Sequence, residues 1–378
     1  MTVWVYNTTL RMKSWGCIGR RSFLLLLFAL PAMRGYAILF QNTGDPTYNT
    51  TAPTGSLTNS GWQYEGIWDT PDGNFLGTPI APRFFAAAQH VDGTNGAAFV
   101  YNGFTYHTVA SNACPNSDLC IWQVAETFPR YAPLYTASNE VGKTCVAIGR
   151  GYTRSSAVIV GGVTNGWQWG VADFVERWGE NMVSGVYTDA SKGQSLYALF
   201  NRNGFPTNQC TLAVFDSSGP MFIQDGGTWK LAGIHYSVSD FTVSTNGVDG
   251  SGFSASMMDY YGVYLGGDGH WALQTSHDTS AFFSTRISAL INWINGVINF
   301  DTGPDLQITG TQVVGTDVQI NLSTGSNRLY RIDYKSDMVT GVWMTLTNNL
   351  PGTGGIVPII DPGAASQPQR FYRATIVQ

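Results

Sequence analysis

The sequence predicts an all-β fold, on three observations. Short apolar runs rich in Val, Ile, Phe and Trp alternate with clusters of Gly, Asn, Asp and Pro along most of the 378 residues. Only 12% of the residues are charged, whereas 13% are aromatic and 44 are glycine, which excludes a disordered or coiled-coil chain. Residues 284–298 alone repeat Ile and Leu at helical spacing. We therefore expect antiparallel sheets followed by one C-terminal helix.

The predicted strands fall into two regions. Their regular spacing between residues 61 and 238 favours a sandwich or barrel. These strands cover residues 84–88, 98–101, 119–124, 144–148, 157–160, 211–215, 221–224 and 229–235. Residues 239–280 have few apolar runs and are predicted to be long surface loops. The strand pattern then returns over 317–322, 329–334, 343–346 and 371–376, a length typical of a small β-sandwich.

Residues 1–37 have the organisation of an export signal. They contain five basic residues and no acid, and Arg20-Arg21 precedes an apolar run from Phe23 to Met33. Cleavage after Ala37 is therefore expected, and with it a secreted or periplasmic location. The paired arginines leave both the general secretory and the twin-arginine routes open. The apolar run is shorter than the roughly 20 residues that a membrane span needs.

The chain beyond residue 37 would be acidic. Without the signal, the 20 basic residues fall to 15 against 25 acidic ones. A net negative charge disfavours nucleic acid or an anionic membrane as a partner. No CxxC pair, HExxH motif or acidic calcium loop occurs, and Gly149-Arg150-Gly151 does not continue into a nucleotide-binding pattern. We expect no metal and no cofactor.

Four cysteines remain after Cys17 leaves with the signal. In an exported protein they allow three disulfide pairings, and the sequence does not fix which one forms. We expect Cys114–Cys120 with Cys145–Cys210.

Three residues could together carry out acyl transfer, which needs a hydroxyl, a neutral imidazole and a carboxylate. Ser217 lies in a polar turn between two predicted strands, although an ordinary hairpin would look the same. His90 ends a buried run of small residues, whereas the other four histidines are expected to be hydrogen-bonded or solvated. Asp118 opens an apolar strand, where a carboxylate needs a donor such as an imidazole N–H.

The order His90, Asp118, Ser217 resembles that of the trypsin-like serine proteases, which have the chymotrypsin fold. Six segments resemble motifs of that family in the same order. Residues 77–90 are similar to GGSLI…WVVTAAH, 118–121 to DIAL, 145–151 to CxxxGWG, 216–220 to DSGGP, 229–234 to WxLxGI, and 283–294 to VYTRVS…WI.

The resemblance implies two six-stranded antiparallel β-barrels with the active site between them. It implies an exported serine endopeptidase acting on a protein or peptide, with Ser217 as nucleophile, His90 as general base and Asp118 orienting His90. The N–H groups of Phe215 and Ser217 would form the oxyanion hole. In many members the acid before the nucleophile pairs with a newly formed N-terminus, which would make Asp216 the partner of Ile38.

Departures from the family pattern bear on activity. Phe215 stands where the family has Gly and could misaim the oxyanion donor. The alternative function is therefore a catalytically impaired, protease-like binding protein. The implied substrate pocket contains Thr211, Tyr236, Ser237 and Val238. Because Thr211 is not an acid, a trypsin-like preference for Lys or Arg is not supported.

The expected domain organisation has four parts: a signal peptide at 1–37, a protease domain at 38–300, a linker at 301–307 and a module at 308–378. Gly303-Pro304 interrupts the chain just after the predicted helix. The last segment resembles the fibronectin-III-like β-sandwich modules appended to exported bacterial enzymes. This implies attachment to a surface or polymer, or spacing, and no chemistry.

Overall fold

The computed structural model describes residues 38–203, 208–298, 306–325 and 328–377. The predicted export signal and most of the predicted linker lie outside the described residues. Within the described part the chain is mostly β-sheet, which confirms the predicted all-β class. No helix in that part is long and apolar enough to cross a membrane.

Six of the first seven strands build a closed barrel. The seven strands are β1 Leu39–Phe40, which lies outside the barrel, β2 Gly66–Thr70, β3 Gly73–Ala81, β4 Phe84–Ala88, β5 Ala98–Tyr101, β6 Phe104–Ala113 and β7 Leu119–Val124. Strands β2 to β7 close in the order β2-β3-β4-β7-β6-β5. Buried aromatic rings fill the interior, with Phe85 and Phe99 stacked at 4.2 Å between centroids. One six-stranded barrel of the prediction is thus confirmed.

The next fourteen strands, apart from one that pairs with β1, divide between two open sheets. They are β8 Thr144–Gly149, β9 Tyr152–Val160, β10 Val163–Ala172, β11 Arg177–Met182, β12 Gly185–Asp189, β13 Gly193–Leu199, β14 Cys210–Thr211, β15 Pro220–Asp225, β16 Thr228–Val238, β17 Thr242–Ser244, β18 Phe253–Met257, β19 Tyr264–Leu265, β20 Ala272–Leu273 and β21 Ala281–Arg286. Seven of them pair in the order β11-β8-β15-β16-β21-β13-β12, with β11 and β12 as edges. In the described residues this open sheet stands where the second barrel was expected.

The other sheet contains the segment predicted to be loops. Its order is β20-β19-β17-β18-β10-β9, so four short strands from residues 239–280 extend the β9–β10 hairpin. In the described residues this hairpin does not pair with the seven-stranded sheet. Val243, Met257 and Val263 are fully buried in a core of this sheet's own. The loop prediction was wrong because these strands are too short to show a periodic pattern.

The helix α1 spans Ile287–Ile298. Its first three predicted residues, 284–286, instead extend β21. Ile287 and Ile294 are fully buried against the core that also contains the barrel interior. The helix therefore packs through the apolar face that its spacing indicated.

The C-terminal segment forms two three-stranded sheets. Its strands are β22 Gln307–Val314, β23 Asp317–Ser323, β24 Leu329–Lys335, β25 Met344–Pro351, β26 Ile356–Asp361 and β27 Phe371–Ile376. They pair in the orders β22-β23-β26 and β25-β24-β27. Ile320, Tyr330 and Ile332 are fully buried in one core. That this segment is a separate fibronectin-III-like domain stays a prediction.

All four described cysteines are free thiols, so the predicted disulfides are absent from this structure. Cys120 pairs with Ala113, and adjacent residues of a strand point to opposite faces, so Cys114 faces away from Cys120. Cys145 and Cys210 belong to one buried core, and Cys145 acts electrostatically on the Cys210 thiol, but no bond joins the two sulfurs.

Candidate functional site

Two neighbouring barrel strands carry the first pair of candidate residues. β4 ends at Ala88, and the short turn after it carries His90. β7 begins directly after Asp118, and its first residue, Leu119, pairs with Ala88. The Gln89 N–H also donates to Asp118 O at 2.7 Å. Antiparallel pairing thus places two side chains 28 residues apart at the same end of the barrel.

His90 lies between a carboxylate and a hydroxyl. Its Nδ1 lies 2.6 Å from Asp118 Oδ2, and its Nε2 lies 2.8 Å from Ser217 Oγ. Asp118 is fully buried, whereas the His90 side chain is 38% exposed. A carboxylate at Nδ1 holds the hydrogen on that nitrogen and leaves Nε2 as an acceptor for the serine hydroxyl.

Ser217 lies in a tight turn that leads into β15. Its neighbour Ser218 donates its N–H to the His235 carbonyl of β16 at 2.9 Å. Ser218 is buried, and its Oγ accepts the Ala88 N–H at 3.0 Å. The turn is therefore bonded both to its own sheet and to the strand that ends just before His90.

A hydrogen bond orients the peptide between Val214 and Phe215. The Tyr152 N–H donates to Val214 O at 2.9 Å. In a trans peptide the N–H points opposite to the C=O, so the Phe215 N–H points away from Tyr152. Within the described ranges, no acceptor is bonded to the N–H of Phe215 or of Ser217. Two unengaged donors therefore flank the Ser217 hydroxyl.

Phe215 adopts a left-handed backbone conformation, with φ of 71°. Glycine reaches this region freely, whereas another residue loses about 1–2 kcal/mol. Three rings surround its side chain, at centroid distances of 5.4 Å for Tyr152, 5.9 Å for Phe174 and 6.0 Å for Phe75. Aromatic pairs contribute about 0.5–1.5 kcal/mol each, which offsets the strain. The turn thus keeps a glycine-type backbone although it contains Phe.

Asp216 is a buried carboxylic acid beneath the turn. Its oxygens accept the N–H of Gly151 at 2.7 Å and of Ala213 at 2.9 Å, and the Ile38 N–H also donates to it. Burial raises the pKa of Asp216 to about 7, and these N–H donors act in the opposite direction. Ile38 is itself fully buried, so Asp216 anchors the start of the described chain beside the turn.

Glycines allow this close packing. A Cβ on Gly151 would lie 2.3 Å from Val214 O and 2.6 Å from Asp216 N, and one on Gly149 would lie 2.2 Å from Asp216 Oδ1. All three distances are far shorter than the contacts that real Cβ atoms make. The segment 149–151, which the sequence excluded as a nucleotide site, therefore supports the turn that carries Ser217.

A cavity of about 260 Å³ opens beside Ser217. It is lined by His90, Leu212, Ala213, Val214, Asp216, Ser217, His235, Tyr236, Ser237, Val238 and Asp240. Three of the four predicted pocket residues, Tyr236, Ser237 and Val238, are among them. Thr211 is not, because it is buried where β14 pairs with Leu39 of β1. The predicted strand 211–215 was also wrong, since only its first residue belongs to β14.

Sequence reasoning missed two titratable residues of the lining. Burial lowers the pKa of His235 to about 3, so this imidazole is neutral, and its Nδ1 lies 2.8 Å from Ser284 Oγ. Burial raises the pKa of Asp240, and a hydrogen bond from Ser254 opposes this. The sequence predicts for His235 only that it is hydrogen-bonded or solvated, and Asp240 lies in the segment predicted to be loops.

A third residue that the sequence did not indicate is Lys192. Its Nζ lies 3.3 Å from Asp118 Oδ1, the carboxylate oxygen that does not face His90. The two residues are 74 positions apart and lie in different sheets, so no local pattern could have joined them.

The arrangement can transfer a proton from Ser217 to His90 while Asp118 balances the charge that forms on the imidazole. The N–H groups of Phe215 and Ser217, which have no acceptor within the described ranges, remain free to donate to a bound group. In the described residues no group of three or more His, Cys, Asp or Glu side chains could hold a metal ion.

No family model and no curated protein matches this chain. Three solved structures share partial similarity. The Rv3671c protease of M. tuberculosis, in an inactive form, is 14% identical with a TM-score of 0.34, over 50% of this chain and 87% of its own. Mouse brain neuropsin, a serine protease, is 11% identical with a TM-score of 0.35, over 64% and 96%. Kallikrein-related peptidase 10 is 13% identical with a TM-score of 0.36, over 64% and 97%.

Proposed function

We propose that this protein is an exported serine endopeptidase whose nucleophile is Ser217. The observation that supports this most strongly is the pair of hydrogen bonds that joins Asp118, His90 and Ser217, at 2.6 and 2.8 Å. Three residues that lie far apart in the sequence meet at these distances on two different sheets. An ordinary hairpin serine would have no imidazole at its hydroxyl.

In the first half of the reaction, Ser217 Oγ attacks the peptide carbonyl carbon while its proton passes to His90 Nε2. The carboxylate of Asp118 stabilises the imidazolium through Nδ1. The carbonyl oxygen gains the negative charge and accepts from the N–H groups of Phe215 and Ser217. One such donor typically contributes about 3–4 kcal/mol to lowering the barrier.

In the second half, His90 returns the proton to the leaving amine, and the peptide bond breaks. An acyl ester on Ser217 remains. His90 then takes a proton from water, the hydroxide attacks the ester carbon, and Ser217 regains its proton as the acid product leaves. No cofactor is needed for any of these steps.

The cavity beside Ser217 would receive the side chain that precedes the cleaved bond, with Tyr236, Ser237 and Val238 as one wall. The proposed substrate is accordingly a protein or peptide. The C-terminal module, residues 308–378, is proposed to attach the enzyme to a surface or polymer. Export through the segment 1–37 belongs to the same proposal.

The test is labelling of the purified protein by a fluorophosphonate probe, combined with cleavage of an unstructured protein such as casein. We expect labelling that heat denaturation abolishes and that His90→Ala also abolishes. A folded protein that neither reacts with the probe nor cleaves casein would contradict the proposal. It would favour the impaired, protease-like binding protein instead.

A further inference from the structure

The carboxylate of Asp118 has a second partner besides His90. Its Oδ2 faces His90 Nδ1, whereas its Oδ1 lies 3.3 Å from Lys192 Nζ. The Asp118 side chain is 1% exposed and the Lys192 side chain 39%. Burying a carboxylate is costly unless each oxygen is bonded, so the ammonium group supplies what the remaining oxygen lacks.

The turn that carries Lys192 is built to point at this carboxylate. It joins β12 to β13, and Asp189 Oδ1 accepts the N–H of Ser191 at 2.7 Å and of Lys192 at 2.9 Å. The next residue, Gly193, has φ of 70°, and a Cβ there would lie 2.9 Å from Asn116 O. The turn thus lies directly against the segment that precedes Asp118.

Several charged or titratable groups surround Asp118. His90 approaches from the turn after β4, Lys192 from the β12–β13 turn, Tyr236 from β16 and Cys120 from β7. Two further carboxylates are near these neighbours, since Asp189 acts electrostatically on Tyr236 and Asp92 on Cys120. Among the described residues, Lys192 is the only lysine or arginine in an ion pair with Asp118.

If the proposed function holds, we propose that Lys192 is a positioning residue of this catalytic centre. Its ammonium group holds Asp118 Oδ1, so that Oδ2 stays directed at His90 Nδ1. It also reduces the negative charge that Asp118 presents to the imidazole.

The sign of the charge effect follows from the geometry. His90 must be neutral to accept the Ser217 proton. An Asp118 carboxylate without a cationic partner stabilises the imidazolium form of His90, which cannot act as a base. The positive charge of Lys192 opposes this stabilisation. Removing that charge therefore extends the inactive, protonated form of His90 to higher pH.

The experiment measures the rate constant of fluorophosphonate labelling between pH 5 and 9 for the wild type, Lys192→Met and Lys192→Arg. In Lys192→Met we expect the acid limb of the labelling rate to move to higher pH, because the cation that opposes protonation is gone. We also expect the rate at pH 6 to fall by roughly three- to tenfold. Lys192→Arg should stay close to the wild type because it keeps the charge.

Lys230→Met is the matched control. Lys230 pairs with Asp225 at 2.8 Å on the β15–β16 hairpin and has 27% exposure, but it does not contact the site. It should leave the pH profile unchanged. Melting temperatures of all variants show whether the fold is retained.

An acid limb that stays in place in Lys192→Met would overturn the proposal. An equal loss of labelling rate in Lys192→Met and Lys192→Arg would also overturn the proposal, since it would reflect packing and not charge. If Ser217→Ala is labelled as fast as the wild type, this result would instead contradict the proposed function itself. The two failures are therefore distinguishable.

Discussion

The two halves of the candidate site are held in place by different means. His90 and Asp118 follow and precede regular strands of the closed barrel, and the pairing of Ala88 with Leu119 brings them together. Ser217 lies in a turn with two non-glycine residues at positive φ, Phe215 at 71° and Ser218 at 69°.

The positions of His90 and Asp118 therefore depend on backbone pairing, and the position of Ser217 depends on side-chain packing. Strained backbone persists only when its surroundings enforce it. Here the surroundings are the aromatic rings around Phe215, the buried Asp216 and the glycines at 149 and 151. Changes near the turn should accordingly alter activity more than equally small changes elsewhere.

The largest expected effect separates the two serines of the turn. Ser217→Ala should lower fluorophosphonate labelling by more than about 10⁴-fold with little change in melting temperature, because it removes only the nucleophile. Ser218→Ala should keep labelling within several-fold. It should lower stability by about 1–3 kcal/mol because the buried Ala88 N–H loses its acceptor. Labelling kinetics and thermal melting measure both effects, and the reverse pattern would assign the nucleophile to Ser218.

The next effect tests the packing beneath the turn. Gly151→Ala should displace the turn, since the new Cβ would lie 2.3 Å from Val214 O, and labelling should fall by about 10²–10³-fold. Gly267→Ala is the control, because nothing lies within 4 Å of a Cβ there. If Gly151→Ala labels as fast as the control, the orientation of the turn does not depend on this contact.

An intermediate effect concerns Asp216 and pH. Its pKa of about 7 exceeds the usual value of an aspartate, so its contribution to stability is present below about pH 4 and is lost as the pH rises through 7. A chain that begins at Ile38 would place an α-ammonium group at this carboxylate and lower its pKa. We expect that chain to melt several degrees higher at pH 6 than one that begins at Ala37.

This difference should shrink as the pH rises above about 8, the usual pKa of an α-amino group, and disappear once the pH exceeds the raised pKa of the paired group. Asp216→Asn should also remove it. Thermal melts across this pH range provide the test, together with N-terminal sequencing of the exported protein. An equal melting temperature of the two chains at pH 6, or a start other than Ile38, would remove the hypothesis.

The smallest expected effect is that of removing the C-terminal module. A chain ending at Asp305 should label at the wild-type rate with a similar melting temperature, because residues 306–377 have a core of their own around Ile320 and Tyr330. Residues 306–378 alone should give a dispersed β-type NMR spectrum. Aggregation of the shortened chain would show that the boundary is misplaced.

The sequence predicted the elements that have regular patterns. Three of the six barrel strands, β4, β5 and β7, and the apolar face of the helix were predicted because their apolar residues are consecutive or regularly spaced, whereas β2, β3 and β6 were not among the predicted strands. The strands of 239–280 were missed because each is too short to show a period. The second barrel is not confirmed, since β9 and β10 pair with those strands in a separate open sheet.

The candidate site likewise contains residues that the sequence indicates and residues that it does not. His90, Asp118 and Ser217 could be found because each adjoins a recognisable strand or turn. Lys192 and His235 could not, since their roles depend on contacts between segments far apart in the chain. The positive φ of Phe215 agrees with the glycine that the resembled family has there, but the three rings from other segments that pack around it could not be foreseen.

The most direct measurement is to locate the fluorophosphonate adduct by peptide mass spectrometry. The labelled protein is digested, and the modified residue is identified by fragmentation. We expect a single adduct on Ser217, absent from heat-denatured protein and from His90→Ala. An adduct on Ser218 or another hydroxyl, or an adduct on Ser217 that forms equally fast without His90, would contradict the proposed catalytic role of this site.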